Sequence, residues 1–84
     1  VEQSHEKAFE YYDQAAQLGH PNAQYNLGLM YVTGQGVDQN VAGAHALWSL
    51  AAAQGHEGAI KNLKILEMEM KKNMTSKNAT KNTK

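Results

Sequence analysis

The chain has 84 residues, with eight Lys, no Arg, eight Asp plus Glu, one Pro, no Cys and 42% hydrophobic residues. Such a chain holds one small domain at most and is too short for a cofactor-binding α/β domain, and without cysteine it has no disulfide, thiolate metal cluster, iron–sulfur centre or thiol nucleophile. These residues contain no apolar run near the ~20 that a bilayer crossing needs and no charged-then-apolar signal segment. The formal neutrality conceals a division: residues 1–70 hold three Lys and all eight acids, for a charge of −5, whereas residues 71–84 hold five Lys and no acid, for +5.

The chain resembles itself at an offset of 36 residues. Val1, Gln3, Ala8, Ala15, Ala16, Gly19, His20, Ala23, Asn26 and Leu27 return as Val37, Gln39, Ala44, Ala51, Ala52, Gly55, His56, Ala59, Asn62 and Leu63. Apolar positions keep their shape class between copies, with Tyr12 becoming Trp48 and Leu29 becoming Ile65.

A first helix is expected over about 5–18, because Ala8, Tyr11, Tyr12 and Ala15 fall at i, i+3, i+4 and i+7. Ser4 suits its N-cap and Gly19 a left-handed C-terminal cap. Pro21 fits the first turn of a second helix, about 21–33, where its missing N–H has no partner to lose. Ala23, Leu27, Met30 and Tyr31 keep helical spacing there, and Gly34-Gln-Gly36 ends the helix. Gly28, in mid-helix, costs ~1 kcal/mol relative to Ala and marks a close crossing of backbones. Gly28→Leu is therefore expected to destabilise the fold more than Gly43→Leu.

A third helix over about 41–54 repeats the stripe as Ala44, Leu47, Trp48 and Ala51, between Asn40 as N-cap and Gly55. The fourth runs over about 57–72, and there Lys64, Glu67 and Met70 replace Gly28, Tyr31 and Gly34. The loop signal is lost, and a lysine and a glutamate stand where a further helix would pack, as in a terminal capping helix with a wetter outer face. Residues 73–84 are mostly Lys, Asn, Thr and Ser and read as a disordered basic tail. The sequons Asn73-Met-Thr75 and Asn78-Ala-Thr80 are read as chance in a tail of this composition.

The pattern describes an all-α solenoid of antiparallel helix pairs joined by glycine turns. Val1-Glu-Gln-Ser4 aligns with Val37-Asp-Gln-Asn40, so the first helix is the second member of a pair and the four helices follow the order B–A–B–A. Residues 1–72 are accordingly expected to form the C-terminal end of a longer array. Two units fall short of the ~3 that usually suffice for stability, so a marginal monomer, or self-association through the open N-terminal face of helix 5–18, is expected.

The string AAQLGHPNAQYNLGLMYVTGQGV, followed by Ala44, Trp48, Ala51-Ala52 and Gly55, closely resembles the Sel1-like repeat family, relatives of the tetratricopeptide repeat. Signature positions of that family present here are Ala23, Leu27, Gly28, Tyr31, Gly34, Gly36, Val37, Ala44, Trp48, Ala51, Ala52 and Gly55. Asn40 stands where the family often has Asp, a change that keeps the capping role. The resemblance implies an α/α superhelix acting as a protein-interaction scaffold, common in bacterial signalling, envelope and host-contact proteins. It leaves the compartment open.

Reactive constellations are weak. His5, His20, His45 and His56 show no His-x-x-x-His pair or His-Glu-x-x-His run, and the repeat-equivalent His20 and His56 lie one unit apart. Each is expected to bond the open carbonyls of the helix before it. Glu6, Glu10 and Asp13 form a solvated acidic face, Ser4, Ser49 and Ser76 lack a nucleophile elbow, and Gly34-Gln-Gly36 is a turn. Neither enzyme activity, nor cofactor, nor metal is expected, and Trp48, Tyr12 and Tyr31 are read as core.

The expected function is a non-enzymatic protein–protein interaction module binding a partner protein or peptide on the concave face of its A helices, with no nucleic acid expected and no membrane span. Tyr25, Leu29 and Val32 lie off the main stripe of the second helix, and their counterparts are Lys61, Ile65 and Met68. A groove floored by Leu29, Ile65 and Met68, with Tyr25 and Val32 on the same stripe and Asn22, Asn26 and Asn62 supplying amide contacts, is the expected partner site, the alternative being that Leu29 and Ile65 are interhelix packing. Two alternatives remain: the basic tail tethers the repeats to nucleic acid or anionic membrane, or histidines form a small hydrolase or metal site.

Overall fold

The computed structural model describes the backbone of residues 2–82 and the side chains of residues 6–72. Helix α1 spans Glu2–Gln17, α2 Pro21–Thr33, α3 Val41–Ala53 and α4 Glu57–Asn82, with no strand among the described residues. The helices pack in chain order, α1 on α2, α2 on α3 and α3 on α4. The chain is thus all-α, built from helix pairs, as the pattern predicts.

The turns form where glycine permits them. Gly19 and Gly55 adopt φ of 94° and 89°, a region costly to any residue with a Cβ. At each, the backbone closes the helix end with two bonds: Gly19 N–H donates to Ala16 O and His20 N–H to Ala15 O, and Gly55 and His56 do the same to Ala52 and Ala51. The carbonyls that the two imidazoles were expected to bond are therefore taken by backbone N–H groups. Gly34, at φ 75°, caps α2, and the loop after it is tied back by Asn40 N–H to Tyr31 O at 2.8 Å and Gln39 Nε2 to Val32 O at 2.8 Å. Asn40 then caps α3 by accepting from the Gly43 N–H at 2.9 Å.

Two boundaries differ from the sequence reading. Helix α1 already runs from Glu2, so Ser4 lies inside it, because Glu2 and Gln3 are themselves good helix formers. Helix α4 runs to Asn82, ten residues past the expected end and through much of the segment read as a disordered tail. No glycine or proline follows Gly58 to stop it.

The core lies between consecutive helices. Ala16, Ala23 and Leu27 form one cluster, with Phe9, Tyr12, Ala15, Tyr31 and Leu47 packed around it. Trp48, Ala51 and Ala59 form the second, with Tyr25, Leu29, Val32, Ala52, Leu63 and Leu66 around it. Alanines at the crossings let the helices approach: Ala44, Ala51 and Ala59 are wholly buried. The buried Gln24 joins three elements, donating to Ala16 O at 3.3 Å and accepting from Gln54 Nε2 at 3.0 Å. Nothing in the periodicity announces this role, since its counterpart in the next copy is Ile60.

Gly28 exists for Trp48. A Cβ at position 28 would lie 2.3 Å from Trp48 Nε1 and 2.7 Å from Cδ1. The close approach expected there is thus made by the indole ring of α3, not by a second backbone. The ring is fixed at its polar edge, where Nε1 donates to the Tyr25 carbonyl at 3.0 Å.

Candidate protein-interaction surface

The A-type helices α2 and α4 are linked by a run of polar and aromatic contacts that begins at His56. Its Nδ1 accepts from the Ala59 N–H at 3.0 Å, capping α4, which leaves the ring proton on Nε2 to be donated to Asn22 Oδ1 at 2.8 Å. The imidazole stacks on Tyr25, with ring centroids 4.7 Å apart. Tyr25 Oη in turn accepts from Asn62 Nδ2 at 3.5 Å. The repeat-equivalent His20 is exposed and makes no side-chain cap bond to α2.

These contacts sort the eight residues expected to form the partner site. Tyr25, Leu29 and Val32 are half-buried and pack against the Trp48 cluster, so this second stripe of α2 holds α3. Asn22 is engaged by His56 and Asn62 by Tyr25. Asn26 is half-buried on α2. Ile65 and Met68 are 53% and 69% exposed.

Three of the eight, Val32, Asn62 and Ile65, come together around a shallow depression of about 180 Å³, completed by Trp48, Leu66 and Glu69. Its floor is apolar, and its rim carries an amide and a carboxylate. Met68 lines a separate hollow with His45, Lys64, Glu67, Met70 and Lys71.

The remaining candidate groups are dispersed. His45 Nε2 lies 3.1 Å from Glu67 Oε2, tying α3 to α4. Ser49 Oγ donates to the His45 carbonyl one turn back at 2.8 Å. Asp13 accepts from Gln17 Nε2 at 3.1 Å, while Glu6 and Glu10 are exposed. His5 and Ser76 have side chains outside the described residues. Among the described residues, no three His, Asp or Glu side chains gather as a metal site would require.

Helix pairs repeating every 36 residues, glycine-capped turns and an aromatic residue seated on a glycine of the preceding helix define a helical repeat protein of the two-helix kind. The Sel1 repeat family model matches residues 1–20 and 21–56. The chain belongs to the Sel1 repeat family, whose repeats are non-enzymatic scaffolds that generally mediate protein–protein interaction. No curated protein and no solved structure matches it. No helix among the described residues is long and apolar enough to cross a membrane.

Proposed function

We propose that this chain is a non-enzymatic interaction module that binds a peptide or protein segment along its A-type helices, over the depression lined by Val32, Asn62, Ile65 and Glu69. The observation that carries this reading is the convergence of three of the expected residues, from two helices and two repeats, on one apolar hollow with a polar rim. Such a hollow suits an apolar anchor side chain, and Glu69 and Asn62 suit the backbone or a cation beside it.

The test is a pull-down from source lysate with a photo-crosslinker at position 62, using the otherwise native surface and an Ile65→Asp/Glu69→Lys variant. Both substitutions fall on exposed positions, so helicity by circular dichroism should be retained. Leu29→Asp is unsuitable, because Leu29 packs on the Trp48 cluster. A partner crosslinked at residue 62 and lost from the variant supports the site. The same partner captured equally by both refutes it.

A further inference from the structure

The outer side of α4, which shares only Ile65 with the depression, repeats, position for position, the surface by which α2 holds α3. Tyr25, Gly28, Leu29 and Val32 of α2 correspond to Lys61, Lys64, Ile65 and Met68 of α4. On α2 three of these four pack against the Trp48 cluster, and the fourth, Gly28, lies against the indole. On α4 all four are exposed, joined by Ile60 and Lys71 at the same three- and four-residue spacing. Two hollows of about 450 and 540 Å³ flank this side and meet at Lys64. It is a helix seat without its helix.

The two substitutions at its centre determine what fits. Lys64 fills the space that Gly28 leaves for an indole, where a Cβ would stand 2.3 Å from Nε1, so a tryptophan-bearing repeat cannot sit here as α3 sits on α2. Lys61, Lys64 and Lys71 take part in no salt bridge among the described residues, and Glu67, the acid at the edge, is turned to His45. Glu57, at the N-terminal end of the row, and Glu67 offset part of this charge. Three lysines interleaved with Ile60, Ile65 and Met68 complement a helix that carries apolar residues on one stripe and carboxylates beside it.

We infer that the outer face of α4 docks an acidic amphipathic helix of a partner protein. This rests on the interaction-module reading and adds a second surface, with its own occupant, to it. The helix lies along α4 much as α3 lies along α2, its apolar stripe on Ile60, Ile65 and Met68 and its carboxylates on Lys61, Lys64 and Lys71.

The test titrates the isotopically labelled full chain with a designed helical peptide of Leu stripe and flanking Glu, with its twin bearing Lys for Glu, and with anionic lipid vesicles. The acidic peptide is expected to shift the amides around Ile60, Lys64 and Met68 and to bind about tenfold tighter than the basic twin. A Lys61→Glu/Lys64→Glu variant, both changes being solvent-exposed, should reverse that preference. Glu69→Gln should change the peptide's affinity far less than Lys64→Gln does, which separates this surface from the depression, with which it shares only Ile65. Equal binding of the two peptides, no binding of either, or shifts centred elsewhere would overturn the inference. So would vesicles perturbing these residues while the acidic peptide does not, or concentration-dependent shifts of the free chain, which would give the face to a lipid surface or to a second copy.

Discussion

Replacing Gly28 with alanine isolates the contact on which the α2–α3 junction depends. The new methyl carbon would lie 2.3 Å from Trp48 Nε1, 2.7 Å from Cδ1 and 3.0 Å from Cε2, and the indole is a rigid group only 4% exposed. Either the ring or α2 must move. Overpacking of this kind costs ~1–3 kcal/mol, and a displaced ring also forfeits much of its bond to the Tyr25 carbonyl, worth ~0.5–1.5 kcal/mol. Alanine returns ~1 kcal/mol of helix propensity, so the net loss is roughly 1–3 kcal/mol. For a domain of this size that lowers Tm by on the order of 5–20 °C. Gly43→Ala is the control: its added carbon meets only the Asn40 side chain, at 3.1 Å, and the propensity gain offsets the disturbed cap to within about 0.5 kcal/mol. Urea and thermal melts would follow far-UV circular dichroism and the fluorescence of Trp48, the single tryptophan. A Gly28→Ala chain as stable as the parent, or both variants losing equally, would refute the argument that the glycine is there for the ring.

Further expectations follow from the same contacts. Trp48→Phe should keep the fold but lose about 1 kcal/mol through the lost indole bond to the Tyr25 carbonyl and the smaller ring, whereas Trp48→Ala should lose ~3–5 kcal/mol, read from the same urea melts. Asn40→Ala should cost about 1 kcal/mol and Asn40→Ser little, since only the former removes the acceptor of the Gly43 N–H; thermal denaturation of the pair decides it. His56→Ala should destabilise by about 1 kcal/mol through loss of the α4 cap, while His20→Ala should be nearly neutral, and equal melting shifts for the two would contradict the asymmetry seen here.

What could be read in advance divides by the range over which the deciding force acts. Helix α2, expected over about 21–33, spans Pro21–Thr33 because proline and glycine act locally at both its ends. The end of α4 was missed because its segment holds neither a breaker nor a strong preference, and the composition that suggested disorder does not forbid a continued helix. The close approach at Gly28 was apparent from the cost of a glycine in mid-helix, but its agent, twenty residues along the chain, emerges only when α3 is in place. The candidate site is half legible for the same reason. A second apolar stripe on α2 shows that something lies against it, and only the packing reveals that Tyr25, Leu29 and Val32 meet α3 while Ile65 and Met68 stay exposed. The split between His20 and His56 was invisible, because it depends on Asn22 and Tyr25 of the helix alongside.

The strictly sequential packing of α1 on α2 on α3 on α4 also fixes how this chain folds and comes apart. Almost every contact joins neighbours in sequence, so little loop-closure entropy is lost before packing begins, and folding belongs in the microsecond-to-millisecond range of low-contact-order helical proteins. Each helix is held mainly by those beside it, with the His56–Asn22 and Tyr25–Asn62 contacts adding a link between α2 and α4, so the chain behaves as a one-dimensional stack that frays from its outer members. The α2–α3 junction, the most extensive of the three and the seat of Trp48, is the last to open. Amide exchange should therefore rise in steps outward from Gly28, and a fluorescence melt of Trp48 will trail one followed by helix content.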